Sequence, residues 1–224
     1  MSKVFAPCLD ILPTAQRSLW PELSQTPGRF TMYGGTAIAL RLAHRESVDF
    51  DFFSLESFEP SSLLKEVAYL KGAVARQSSP DTLTATVDRG GPVQVSFFGG
   101  LRQGQVAPAE LAEGPGLKVA ALIDLAGMKA AVVTQRAELR DYLDIHALLT
   151  KAGIPLASML AAGAIIYGAE FSVLLSLKAI AYHDDPGLAA LPESVRRDLA
   201  KAVEATDPHK LPTLQAVRRR EATS

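Results

Sequence analysis

The stretch YGGTAIALRLAHRESVDFDFFS, residues 33–54, decides the fold. Gly34 and Gly35 stand before Thr36, and then Ala37, Ile38, Leu40 and Leu42 recur at helical spacing. The pattern predicts a turn that opens a helix, with Thr36 placed to satisfy some of the first turn's N–H groups. His44 and Arg45 fall at the far end, where positive charge suits the helix dipole. Glu46 and Ser47 turn the chain. Residues 48–53 then read as a strand. Side chains alternate along a strand, so Val48, Phe50 and Phe52 face one way and Asp49 and Asp51 the other. Phe50, Phe52 and Phe53 mark this strand as central and packed, which makes acidic side chains on it unlike incidental surface charge.

Two aspartates at i and i+2 on a strand lie on one face, about 6.6 Å apart along it. Carboxylates so placed can converge on one or two Mg²⁺ ions, as in sites that clamp both oxygens of a phosphoryl displacement. A glycine pair at a helix start supplies a complementary feature: its backbone can approach a phosphate closely with N–H groups aimed at the anion. Taken singly, a D-x-D pair is commonly the solvent face of an edge strand, and a Gly-Gly is commonly a turn. Their combination in this order points to phosphoryl chemistry.

Working outward, the first 30 residues mix Pro7, Pro13, Pro21 and Pro27 with short apolar runs and predict short helices broken by turns, one of them within residues 9–20. After the acidic strand, a helix is expected over residues 61–71. Residues 83–87 and 93–98 form a hairpin pattern across Asp88-Arg89-Gly90-Gly91-Pro92. Residues 99–116 turn to Gly, Pro and Gln, which places a domain boundary there. The rest is rich in Ala and Leu and predicts helices over residues 121–135, 138–151, 155–167, 172–183 and 193–205. The Arg218-Arg219-Arg220 tail reads as solvated. An α+β class follows, with an α/β core over residues 1–115 and a helical domain over residues 116–224.

Bulk properties bound the rest. The 224 residues are 48% apolar and 21% charged, as in an ordinary globular protein. Net charge is −1, so whole-chain attraction to nucleic acid or anionic membrane gets no support, although a local basic patch is compatible with it. Cys8 is the single cysteine, which excludes an internal disulfide or a cysteine-built zinc site and fits a reducing cytoplasm. The opening MSKVFAPCLD has no basic segment followed by a long apolar one, so no signal peptide is expected. The longest apolar run, residues 159–166, falls short of the roughly 20 residues that span a bilayer. It reads as a buried helix, and no membrane partner is expected.

Residues 33–54 resemble the signature of the nucleotidyltransferase toxins of the AbiEii/AbiGii abortive-infection family, within the DNA polymerase β-like nucleotidyltransferase superfamily. Members carry a Gly-Gly or Gly-Ser pair, a helix, and an acidic strand. DLAGMK, residues 124–129, resembles the family's third motif, and RDYLDIHALL, residues 140–149, its fourth. The resemblance implies a polymerase β-like core with a mixed sheet, and C-terminal helices that cover the active-site cleft. Gly34, Gly35 and Thr36 would cradle the triphosphate of a nucleotide, and Asp49 and Asp51 would hold Mg²⁺. Lys129 would be a point charge on the phosphates, and Asp144 a further polar or base-like group, with Arg140 and Asp141 beside it. The implied activity is transfer of a nucleotide from a nucleoside triphosphate to an acceptor such as RNA, a tRNA end for example. The implied biology is a toxin restrained by an antitoxin protein.

The residues read by themselves leave alternatives open. Lys129 with Asp124 would make a surface salt bridge, and Arg140 with Asp144 an i,i+4 ion pair. His44 and Arg45 would touch substrate or neutralise the two aspartates. One departure from the superfamily stands out. A third carboxylate is common on a later strand, and the corresponding position in VQVSFF is Ser96. The third acid then comes from elsewhere, such as Asp144, or the site is weakened. Two rival readings follow: a catalytically weakened nucleotide-binding protein, and a protein-interaction module that uses the C-terminal helices.

Overall fold

The computed structural model describes residues 3–218. Of the basic tail, Arg219 and Arg220 lie outside the described residues. The chain forms two compact units. The first runs to Arg102 and takes back Ala109–Ala120; the second takes Gln103–Pro108 and the chain from Ala121 onward. The Gly- and Pro-rich stretch is where the chain passes between units, and its last passage comes after Ala120.

The first unit is built on an eight-stranded mixed sheet. Its strands are β1 (Val4–Phe5), β2 (Thr31–Tyr33), β3 (Asp49–Phe53), β4 (Val74–Ser79), β5 (Thr82–Asp88), β6 (Pro92–Phe98), β7 (Glu110–Ala112) and β8 (Leu117–Val119). They lie in the order β1-β7-β8-β2-β3-β6-β5-β4. The acidic strand β3 is central, antiparallel to β2 and parallel to β6. Its Phe50 and Phe52 are fully buried. Phe52 stacks on Phe97 at 5.1 Å, and Phe97 meets the edge of Phe30 at 5.0 Å. Val48, expected on the same buried face, lies just before the strand and is 42% exposed.

The expected hairpin is β5–β6. Asp88 Oδ1 accepts from the N–H groups of Gly90 and Gly91, both at 3.0 Å, and Gly90 takes a φ of 77° that glycine adopts without strain. Strand β4, not foreseen, extends this hairpin at the sheet edge and is exposed throughout. The proline-broken start is a 3-10 turn (Leu9–Ile11), helix α1 (Thr14–Leu19) and a second 3-10 turn (Trp20–Gln25). Helix α2 (Gly34–Leu42) buries Ala37, Ile38 and Leu40 and ends at Ala43, which has a left-handed φ of 45°. Helix α3 (Pro60–Glu66) is shorter than the segment expected. Arg41 of α2 is spent on the fold. It reaches Glu110 Oε2 at 3.1 Å and lies over the Phe5 ring at 4.2 Å. Burial pulls its pKa below the usual arginine value, against the pull of Glu110.

The second unit holds α4 (Leu122–Val132), α5 (Leu139–Thr150), α6 (Leu156–Tyr167), α7 (Val173–Ala181) and α8 (Glu193–Glu204), close to the helices expected. Helices α4 and α6 cross tightly through small residues: a Cβ on Gly127 would sit 2.7 Å from the Gly163 nitrogen. The unexpected piece is the segment Gln103–Pro108. Asp124 anchors it, accepting from the N–H groups of Val106 at 2.7 Å and Ala107 at 2.9 Å. Burial holds the Asp124 carboxyl above its ordinary value, and those two bonds work against it. No helix among the described residues is long and apolar enough to cross a membrane.

Candidate active site

Asp49 and Asp51 emerge on the face of β3 opposite Phe50 and Phe52, and both are partly exposed. Tyr33 ends β2 in register with Asp51 and immediately precedes helix α2. That connection swings Gly34 against the carboxylate. Gly34 has a φ of 78°, and a Cβ there would lie 2.5 Å from Asp51 Oδ2. Only glycine meets both demands, the left-handed backbone and the close approach. The N-cap residue Tyr33 provides no capping side chain. The start of a nine-residue helix, with its partial positive charge, therefore stands beside a carboxylate pair.

Thr36 takes a different part from the cap expected of it. Its side chain is buried, and its hydroxyl bonds Ser47 Oγ at 2.7 Å and donates to the Asp49 carbonyl oxygen. It ties the start of α2 to the start of β3, which holds the glycine turn and the aspartates at one spacing.

Ser96 does occupy the position beside the aspartates: Asp51 pairs with Ser96 across β3 and β6. It is 3% exposed, and its Oγ accepts from Thr84 Oγ1 at 3.4 Å. No group of three or more His, Cys, Asp or Glu side chains able to hold a metal occurs among the described residues. The two carboxylates nonetheless suit a hard cation. Mg²⁺ takes oxygen ligands, is commonly held by one or two carboxylates, and completes its shell with water and substrate phosphate.

The same face carries polar residues that the sequence reading passed over. Gln94 and Thr86 continue the rung from Asp49, and Thr84 continues the rung from Asp51 through Ser96. The alternation of Thr82, Thr84 and Thr86 with apolar neighbours was the available signal. Gln16 and Arg76 join them at the Asp49 end, and neither had a local pattern to reveal it.

The other expected residues gather in the second unit. Lys129 Nζ lies 2.6 Å from Asp141 Oδ1 and 2.7 Å from Asp144 Oδ2. Arg136 Nε adds a bond to Asp141 Oδ2 at 2.9 Å. Both aspartates are fully buried and Lys129 is 7% exposed. The sequence offered Asp124 as a surface partner for Lys129. The partners are instead two buried aspartates from the next helix, because residues five apart on a helix do not share a face. Arg140 pairs with Glu138 at 2.6 Å. His146, unmarked in sequence, binds Asp198 at 3.0 Å and joins α5 to α8.

Comparison with known proteins agrees with this architecture. A structure of an H. pylori protein assigned to the nucleotidyltransferases superposes with a TM-score of 0.56 at 16% identity, covering 84% of this chain and 90% of that one. MenT4, a nucleotidyltransferase toxin of Mycobacterium tuberculosis, superposes with a TM-score of 0.56 at 19% identity, covering 86% and 82%. At such identities the likeness concerns the fold, which is the polymerase β-like nucleotidyltransferase fold. An uncharacterised Aquifex aeolicus protein is 32% identical over 126 residues, 55% of this chain and 59% of that relative's length. A family model described as nucleotidyl transferase AbiEii toxin, type IV TA system, matches residues 19–220, and the chain belongs to that nucleotidyltransferase family.

Proposed function

We propose that this chain transfers a nucleotide from a nucleoside triphosphate to an RNA acceptor, with Mg²⁺ bound at Asp49 and Asp51. The observation that carries the reading is the approach of Gly34 to the Asp51 carboxylate, which joins a helix start to an acidic pair. Gly34 and Gly35 would take the triphosphate on their backbone N–H groups. Thr36 would serve by fixing the Asp49 carbonyl, and with it the spacing of the cradle. Bound to the aspartates, Mg²⁺ would neutralise charge on the phosphates. An acceptor hydroxyl oxygen forms the new bond to the α-phosphorus while the bond to the pyrophosphate oxygen breaks. The hydroxyl proton leaves to water or to a carboxylate other than the missing one at Ser96, whose hydroxyl is no base. Lys129 and Asp144 are the second unit's candidates for the phosphate-facing cation and the polar or base-like group. The biological setting we propose is the cytoplasm, as a toxin held in check by an antitoxin protein.

Titration of each nucleoside triphosphate with Mg²⁺ into the wild type and into Asp49→Ala/Asp51→Ala tests the site. Binding that needs both metal and aspartates supports it, and binding indifferent to the aspartates sinks it. Ser96 in register with Asp51 favours one rival, a nucleotide-binding protein with weakened catalysis. Metal-dependent pyrophosphate release in the presence of RNA would exclude that rival.

A further inference from the structure

A concavity of about 370 Å³ opens beside Asp49, with Gln16, Arg76, Thr86 and Gln94 in its lining. That volume lies at the small end of the roughly 300–1,000 Å³ typical of ligand sites. Part of its lining is one rung of the sheet, Asp49 in register with Gln94 and Gln94 with Thr86. Gln16 is 5% exposed, and its Nε2 donates to the Val48 carbonyl at 3.0 Å, which orients the amide. Its Oε1 is buried and, among the described residues, has no donor. Buried acceptors are nearly always satisfied, so an incoming donor would complete this one. Arg76 is exposed and gives its Nε to Thr86 Oγ1 at 3.1 Å. The remaining N–H groups of its fork suit a phosphate.

The direction of the reaction assigns the occupant. Attacking and leaving oxygens stand roughly in line on opposite sides of the α-phosphorus. With pyrophosphate on the Gly34 turn, against Asp51, the attacking oxygen comes from the Asp49 side, where the concavity opens. We propose that this concavity receives the terminal nucleoside of the acceptor strand. Arg76 holds its phosphate, and Gln94 and the Gln16 carbonyl take hydrogen bonds from its sugar or base. The inference rests on the nucleotidyl-transfer reading above and locates the second substrate of that reaction.

The test uses the whole chain with Arg76→Ala and Gln94→Ala, both changes at exposed positions. A fluorescent single-stranded RNA octamer with a free 3′ hydroxyl is titrated by anisotropy, and nucleoside triphosphates with Mg²⁺ by calorimetry. Each variant should lose roughly five- to tenfold in RNA affinity, and Arg76→Ala should lower the slope of log affinity against log salt by about 0.7. Triphosphate affinity should hold within about twofold, since the cradle at Gly34 is intact. Unchanged RNA affinity in both variants, or no RNA binding by a wild type that binds triphosphate, overturns the inference. Loss of triphosphate affinity in the variants also overturns it, because the concavity would then hold the incoming nucleotide. A wild type that binds RNA through Arg76 and no triphosphate overturns the transfer reading and leaves an RNA site.

Discussion

Two aspartate pairs in this molecule use the same side chain in opposite ways. Asp49 and Asp51 stand two residues apart on a strand, partly exposed, with a glycine turn pressed against one of them. Asp141 and Asp144 stand three apart on a helix, fully buried, with Lys129 between them at 2.6 and 2.7 Å. A buried carboxylate needs a partner built into the protein, because desolvation of an unpaired charge is costly. A partly exposed pair beside a helix start can take its counter-charge from outside. The first arrangement suits a ligand; the second already holds its cation, so Lys129 there serves the fold whatever it also does for phosphate.

The largest expected effect breaks the first pair. Asp49→Asn with Asp51→Asn should reduce pyrophosphate release by roughly a thousandfold, about 4 kcal/mol. The melting temperature should barely move, since neither side chain is buried. A large drop in melting temperature would show that this pair, too, is structural.

Next comes the second pair. Lys129→Met leaves two buried aspartates short of a cation and should cost at least about 3 kcal/mol of stability, read by denaturant unfolding. Should stability hold while triphosphate binding vanishes, the contrast between the pairs collapses, and Lys129 serves the phosphates alone.

Gly34→Ala sharpens the contrast at the cradle. The substitution forces a left-handed backbone on a residue with a Cβ, at a cost of about 1–2 kcal/mol. It also drives that Cβ onto the Asp51 carboxylate. Triphosphate affinity should fall roughly tenfold or more, about 1.4 kcal/mol. Retained affinity would remove the glycine from the site.

The smallest effect concerns Asp124, whose carboxyl burial holds above its ordinary value near 3.8. The folded chain keeps that proton to a higher pH than the unfolded chain. Its contribution is therefore fully present below the unfolded value and is lost as pH rises through the folded one. Asp124→Asn does not titrate. Raising the pH through that window should shift the stability difference against the wild type, by about 1 kcal/mol or less. A shift in the wild type's favour would mean that the Val106 and Ala107 bonds outweigh burial.

Local pattern determined much of this molecule. The glycine pair, the helix of Ala37, Ile38 and Leu40, and the alternating Asp49–Phe53 strand follow from periods of 3.6 and 2, which neighbouring residues alone produce. The hairpin at Asp88–Pro92 follows from its turn residues, and the five later helices from their apolar spacing. Strand β4 did not announce itself, because an exposed edge strand carries no apolar face. Tertiary structure alone turned Thr36 from a cap into a strap on the Asp49 carbonyl, paired Lys129 with Asp141 and Asp144, and gathered Gln16, Arg76, Thr86 and Gln94 beside Asp49. Each of those depends on which segments become neighbours in space. Partners 11 to 78 residues apart are chosen by sheet order and helix packing, and no local window contains that information.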